Sequence, residues 1–145
     1  MSWTDILRKA GPSNLSGKKW TVFHMKTDGT IPSREMHDLG WDMSGEVTLS
    51  KNQFDKYYEK MATIELKNPS NAGSMLYRLT NNVSESWSRD FEGEHDEWNM
   101  ELHKPVGDMG HRSSMPGDVY LDIMSNKYYM IAPAGWNVLT LTDGE

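Results

Sequence analysis

The chain lacks cysteine, a long apolar run and an excess of basic residues, and each absence excludes a class of protein. Without cysteine it can form neither disulfides nor thiolate metal sites. No apolar segment approaches the ~18 residues that a membrane-spanning helix needs, and the first residues, MSWTDILRKAG, are too polar for a secretory signal. These absences predict a soluble, cytoplasmic protein that does not bind membranes.

The sequence signatures of common enzymes are missing as well. The chain has no Gly-x-Ser-x-Gly nucleophile elbow, no Gly-x-Gly-x-x-Gly fingerprint and no phosphate-binding loop. Ser113 and Ser114 follow His111 closely, but sequence neighbours are seldom oriented as a base and its nucleophile must be. We therefore expect the protein to act by binding rather than by catalysis.

Negative charge is concentrated in one part of the sequence. Of the 145 residues, 21 are Asp or Glu and 15 are Lys or Arg, which gives a net charge of −6. Residues 85–108 contain eight of these acids and two of the bases, so they carry the whole excess and the remainder is neutral. A local field of this sign repels a nucleic-acid backbone and favours a protein partner with a basic surface.

Hydrophobic patterns predict a single α+β domain over residues 1–145 with an antiparallel sheet. Strands are expected at Lys19–Lys26, which is rich in β-branched and aromatic residues, and at Glu46–Leu49. Near the C-terminus, alternating patterns separated by turn residues predict a three-stranded antiparallel meander. Its strands are expected at 118–123, 127–132 and 136–141.

Two helices are expected to cover one face of this sheet. Ser50 is a good N-cap, and apolar residues at helical spacing predict a helix over Lys51–Leu66, ended by the residue before Pro69. A second helix is predicted from Ser70 or Asn71, and a short one at Trp3–Lys9, whereas Thr30–Gly45 shows no clear period. The apolar stripe of the second helix consists of Met75, Leu76, Leu79, Val83 and Trp87.

The segment Phe91–Arg112 has no sustained period and predicts a long irregular loop, and such loops are often functional. It holds most of the acidic excess together with Trp98, a residue type enriched at protein interfaces. We expect this region to contact the basic partner. The predicted binding residues are Asp90, Glu92, Glu94, Asp96, Glu97, Trp98, His111 and Arg112.

A metal site is the alternative for the same region. His95, His103 and His111 recur at equal spacing among carboxylates, and imidazole and carboxylate are the ligands that Zn²⁺, iron or Mn²⁺ would use without thiols. This reading predicts a metal-dependent hydrolase or a metal-binding domain, although the spacing matches no short metal motif. A calcium loop beginning at Asp90 is a weaker option, because the turn position that requires glycine is His95.

Residues 111–139, HRSSMPGDVYLDIMSNKYYMIAPAGWNVL, resemble the end of a group of small phage- and plasmid-encoded proteins of the YodL-like type. In that group the phrase HRSLSVGDVV precedes a strand, a turn, a strand and a closing glycine–aromatic pair. Residues 111–113, 117–119 and 135–136 match, whereas Ser114, Met115 and Pro116 differ from the family's Leu-Ser-Val. The resemblance extends at most over Leu76–Leu141, and it implies a phage or mobile-element origin without implying an activity.

The same phrase has a physical interpretation that does not need the family. Gly117-Asp118 predicts a turn into the following strand, and Arg112 and Ser113 can hydrogen-bond to a neighbouring loop. The phrase can therefore serve as a latch that holds the fold together or as part of a binding site.

Overall fold

The computed structural model describes residues 15–82, 86–107 and 110–143, and these contain eight strands and four helices. The strands are β1 (Lys19–Met25), β2 (Glu46–Ser50), β3 (Tyr58–Leu66), β4 (Gly93–Glu94), β5 (Trp98–Leu102), β6 (Val119–Asp122), β7 (Lys127–Ile131) and β8 (Trp136–Thr142). The helices are α1 (Ser33–Trp41), α2 (Lys51–Tyr57), α3 (Ala72–Leu79) and α4 (Trp87–Asp90). Within the described ranges no helix has the length and apolar character needed to cross a bilayer. The helix predicted at Trp3–Lys9 and the stripe position Val83 lie outside the described residues.

All eight strands form one sheet, in the order β2-β8-β7-β6-β1-β3-β5-β4. Adjacent strands are antiparallel except β2 and β8, which run parallel with Glu46 opposite Val138. The predicted meander is confirmed, since β6 pairs with β7 and β7 with β8. The predicted strand near the N-terminus is also confirmed, as β1, and it lies in the middle of the sheet between β6 and β3. The architecture is therefore α+β, with a mostly antiparallel sheet packed against helices.

The core divides into two hydrophobic clusters on opposite faces of the sheet. Val119 and Met130 belong to one cluster, whereas their chain neighbours Tyr120 and Ile131 belong to the other. Successive strand residues point to opposite faces, so the sheet separates the two clusters. α3 contributes to the cluster with Tyr120, and α1 and α2 contribute to the cluster with Val119. Helices thus cover both faces, where the sequence pattern predicted one.

The predicted helix over Lys51–Leu66 is wrong beyond its first two turns. α2 begins at the expected N-cap, Ser50, which forms a capping box with Gln53, but the chain becomes extended at Tyr58 and continues as β3. A register shift in the β1–β3 pairing sets Val22 opposite Ala62 and Phe23 opposite Lys60, so Met61 is an extra residue. A bulge of this kind breaks the two-residue alternation of the strand. The apolar residues of β3 are therefore spaced along the sequence as they would be in a helix.

Three further predictions differ from the structure. The second helix is confirmed as α3 but ends at Leu79, and Trp87 belongs to the separate helix α4. Residues 30–45, which show no period, contain α1. The segment predicted as an irregular loop, Phe91–Arg112, contains β4 and β5. Its strands are short, and their apolar residues do not alternate over enough positions to be recognised.

Candidate functional site

The acidic region forms a hairpin at one edge of the sheet. β4 pairs with β5, and the turn between them is closed by a hydrogen bond of 2.8 Å from the His95 amide to the Trp98 carbonyl. On its inner side β5 pairs with β3, and the Lys67 amide donates to the Glu97 carbonyl at 3.0 Å. We call residues 90–102 the acidic hairpin. Backbone pairing holds it in a fixed position relative to the sheet.

The carboxylates of the acidic hairpin face solvent. Two of them accept backbone hydrogen bonds, Glu92 from the Leu102 amide at 3.1 Å and Asp90 from the Ser86 amide at 2.9 Å. In the described part of the chain none forms an ion pair with a lysine or arginine, and Glu101 has only His103 nearby, at 3.9 Å. The exposed acids are Asp90, Glu92, Glu94, Asp96, Glu97 and Glu101. No described lysine or arginine therefore holds any of these carboxylates in an ion pair.

Trp98 lies at the centre of the acidic hairpin and braces it. Its indole Nε1–H donates to the Phe91 carbonyl at 2.9 Å, and the two rings meet edge to face at 5.7 Å. His95 stacks on the indole with ring centroids 4.3 Å apart. Trp98 is half-buried. The acidic hairpin thus carries exposed carboxylates together with a stacked aromatic pair, a combination of charge and apolar surface suited to a protein contact.

A cleft of about 420 Å³ opens between the turn of the acidic hairpin and α3. Asp96 and Glu97 line it from the hairpin, and Lys67 and Arg78 line it from the end of β3 and from α3. Within the described ranges these opposite charges do not form ion pairs across the cleft. They remain available to a peptide segment that enters it.

The three histidines of the metal hypothesis are held in separate environments. The Nε2–H groups of His95 and His111 donate to the backbone carbonyls of Glu92 and Lys104, at 3.2 and 3.1 Å. His103 Nε2 lies 2.6 Å from the Thr63 hydroxyl. Within residues 15–82, 86–107 and 110–143, no three His, Asp or Glu side chains come close enough to hold a metal ion. The calcium-loop positions are spread over the end of α4, the residues after it, β4, the turn of the hairpin and β5. The metal site stays a prediction that nothing in this geometry supports.

The phrase at residues 111–118 is built into the fold, and we call it the latch. Asp118 is fully buried, and each of its carboxylate oxygens accepts two hydrogen bonds. Arg112 donates to both oxygens, at 2.7 and 2.8 Å, and the amides of Met25 and Met115 complete the set at 2.7 and 2.8 Å. The guanidinium also donates to the Met25 carbonyl at 2.9 Å. Arg112 is thus engaged inside the molecule, and its contact with a partner stays a prediction.

The other end of the latch is tied to α4. The Trp87 indole donates to the Arg112 carbonyl at 2.8 Å, and the His111 amide donates to the Ser88 hydroxyl at 2.7 Å. The Asn82 side chain donates to the His111 carbonyl at 2.9 Å. His111 is 9% exposed. The structure therefore gives these residues a structural role, as one of the two interpretations of the phrase predicts.

Ser114 pairs with His24, far away in sequence, rather than with His111. His24 Nε2 lies 2.9 Å from the Ser114 hydroxyl, which donates to Thr80 Oγ1 at 2.7 Å, and Thr80 in turn donates to the Leu76 carbonyl at 2.8 Å. Because the Ser114 proton is used, His24 donates its Nε2–H. Ser114 is buried, so this pair cannot present a nucleophile to a substrate.

His24 is a residue that sequence reasoning missed. The pKa of His24 is lowered to about 4, chiefly by burial; the Asp118 carboxylate raises this pKa, and Arg112 and His111 lower it. In the described part of the chain, the buried Nδ1 atom has no hydrogen-bond partner. No local motif marks His24, because its partner Ser114 lies 90 residues away.

The chain matches no protein-family model, no curated protein and no solved structure. The resemblance of residues 111–139 to YodL-like proteins therefore stays a prediction. The function has to be argued from the geometry of the acidic hairpin and of the latch.

Proposed function

We propose that this protein is a small accessory protein that binds a protein partner with a basic surface through the acidic hairpin. The observation that carries the proposal is the set of six exposed carboxylates on one sheet edge without an ion pair to any described lysine or arginine. Like charges grouped on one hairpin create a field that attracts a basic surface and accelerates its association.

The aromatic pair at the turn supports the same conclusion. Charge alone favours association but contributes modest affinity, because exposed ion pairs are solvated and screened by salt. Trp98 and His95 add apolar surface in a fixed orientation among the carboxylates. Aromatic residues at the centre of a charged rim are typical of the energetically important positions of interfaces. The cleft beside the turn provides a recess for a side chain of the partner.

The setting of this function is part of the proposal. A phage or mobile-element origin rests on the YodL-like phrase at residues 111–139, and a cytoplasmic location is proposed with it. Both would place the protein among the proteins of a host cell, many of which present basic surfaces.

The test is affinity capture from the cells that produce the protein, followed by quantitative mass spectrometry. We compare the wild type with Glu94→Lys/Glu97→Lys in the acidic hairpin. The matched control, Asp55→Lys/Asp143→Lys, changes the net charge equally at exposed positions elsewhere. We expect one basic protein to be captured by the wild type and the control, and to be reduced at least about tenfold with the hairpin variant.

Two results would contradict the proposal. Equal capture by all three proteins would mean that the hairpin charges only keep the sheet edge from pairing with other chains, a known use of charge on edge strands. Equal loss in the hairpin and control variants would mean that total charge, rather than this surface, controls binding. Far-ultraviolet circular dichroism of each variant establishes that it is folded.

A further inference from the structure

A second surface lies on the other side of the molecule, where α1 meets the latch. A groove of about 450 Å³ opens there, and its lining is mostly apolar. We call it the methionine groove. The apolar residues that form it are Met25, Met36, Trp41, Met115, Pro116 and Pro133.

The base of the methionine groove is tightly packed. Gly40 of α1 approaches the latch so closely that a Cβ atom there would lie 3.1 Å from the Pro116 carbonyl oxygen. Gly117 has a φ of +99°, and a Cβ atom there would lie 2.5 Å from the Met25 side chain. Backbone therefore defines the position of the groove, while methionine side chains, which are flexible and polarisable, can adapt its walls to an occupant.

Two apolar side chains at the end of α1 are unusually accessible, whereas Met25 of the groove is 2% exposed. Trp41 is 65% exposed and Met43 beside it is 58% exposed. Trp41 is the last residue of α1, and His37, one turn earlier, holds its ring at a centroid distance of 5.9 Å. An exposed tryptophan at the rim of an apolar groove offers a large contact area at a small cost in side-chain entropy, as in interface hot spots.

None of the described residues that line the methionine groove is a carboxylate, but the segment around α1 is acidic. Residues 28–46, which include α1 and both of its flanks, contain five acids and one base. Asp38 lies one turn from Trp41 and its side chain is 69% exposed. Arg34 is the only base in this range, and Lys26, just before it, has its charge close to Asp28. An occupant of the groove should therefore combine apolar side chains with lysine or arginine.

The apolar lining of the groove also favours one backbone conformation of a bound peptide over another. An extended peptide needs partners for its amide and carbonyl groups, and a mostly apolar wall supplies few of them. A helix satisfies these groups internally and presents apolar side chains on one face. We propose that the methionine groove binds a basic amphipathic helix of a partner protein, with bulky apolar side chains against Trp41 and the methionines. This inference goes beyond the acidic hairpin, because it rests on different elements and residues.

A labelled model peptide tests the proposal without knowledge of the partner. The peptide is an amphipathic helix with leucine on one face and lysine on the other, and its analogue carries glutamate in place of every lysine. Fluorescence anisotropy measures binding to the full chain. We expect the lysine peptide to bind at least about tenfold more tightly than the glutamate analogue, and Trp41→Ala to weaken the lysine peptide at least about tenfold. Met124→Ala, at a position 80% exposed in the turn between β6 and β7, is the matched control and should not change the affinity.

Other outcomes overturn the proposal. Absence of binding, equal affinity for the two peptides, or equal effects of Trp41→Ala and Met124→Ala would each exclude a basic helix in this groove. A dimer in analytical ultracentrifugation that Trp41→Ala dissociates would assign the groove to a second copy of the chain. The variant Glu94→Lys/Glu97→Lys should retain tight, Trp41-dependent binding of the lysine peptide. The proposal for the methionine groove and the proposal for the acidic hairpin can therefore be refuted independently of each other.

Discussion

Asp118 is fully buried, and its carboxylate accepts two hydrogen bonds from Arg112 and two from backbone amides. An isolated buried charge would be very costly, so its presence depends on these four partners. They come from Met25 at the end of β1 and from Arg112 and Met115 of the latch itself. One side chain thus fixes the conformation of the latch and its position relative to β1.

Asp118→Asn should therefore destabilise the fold strongly. The amide cannot accept at both positions, and it leaves the half-buried Arg112 guanidinium without its counterion. We expect a loss of about 3–5 kcal/mol in the free energy of unfolding, measured by urea denaturation. The control Asp143→Asn removes an exposed ion pair with Lys51 and should leave the midpoint unchanged. A midpoint for Asp118→Asn equal to that of the wild type would show that the pair is not structural.

At the level of helices and strands, Ser50 marks the junction between β2 and α2. Its hydroxyl accepts from the Gln53 amide at 3.0 Å, and the Gln53 side chain accepts from the Ser50 amide at 3.0 Å, a complete capping box. α2 has only seven residues, so each end contributes substantially to its stability.

Ser50→Ala should cost about 1 kcal/mol of folding stability, because the first turn of α2 loses its side-chain acceptor. Chemical denaturation measures the change. Ser33→Ala is the matched control, since α1 begins there without a side-chain cap and the substitution should be nearly neutral. Equal effects of the two substitutions would argue against the capping interaction.

The sequence predicted correctly several elements that depend on neighbouring residues. It did not predict several elements that depend on pairing with distant parts of the chain. The meander was predictable because its alternation and its turns, such as Ser125-Asn126, are local signals. The N-cap at Ser50 and the start of α2 were predictable for the same reason. β3 was mistaken for helix because pairing with β1 and β5, together with a bulge, overrides its local pattern.

The candidate site was predictable in part for the same physical reason. Composition alone located the acidic residues and Trp98, because charge excess and aromatic type are visible residue by residue. Their arrangement on a hairpin was not, since β5 depends on pairing with β3. The contact between His24 and Ser114 was not predictable either, because only folding brings these two distant residues together.

For the molecule as a whole, His24 makes stability depend on pH. Burial lowers its pKa to about 4 in the folded state, whereas the unfolded chain has the ordinary value of 6.5. Between these values the unfolded chain binds a proton that the folded protein does not. The contribution of His24 is thus fully present above about pH 6.5 and is lost as pH falls towards 4. Asp118 and Glu59 favour protonation, and Arg112 and His111 oppose it.

We expect the His24 contribution to fall by about 3 kcal/mol across this range. The measurement is a series of urea denaturation curves from pH 7.5 to pH 4.5. His24→Gln, which cannot be protonated, should flatten the profile, and His37→Gln at an exposed position should not. Parallel profiles for the wild type and His24→Gln would show that another group controls the pH dependence.

The parallel pairing of β2 with β8 has a consequence for synthesis on the ribosome. β2 begins at Glu46 and β8 at Trp136, so 90 residues must be translated before β2 can find its only neighbour in the described sheet. Until then the apolar residues Val47 and Leu49 lack the strand that later pairs with them. Strand pairing that joins such distant parts of the chain slows folding, and it leaves the nascent chain open to aggregation until the pairing forms. Production at low temperature or with chaperones should therefore raise the yield of native protein.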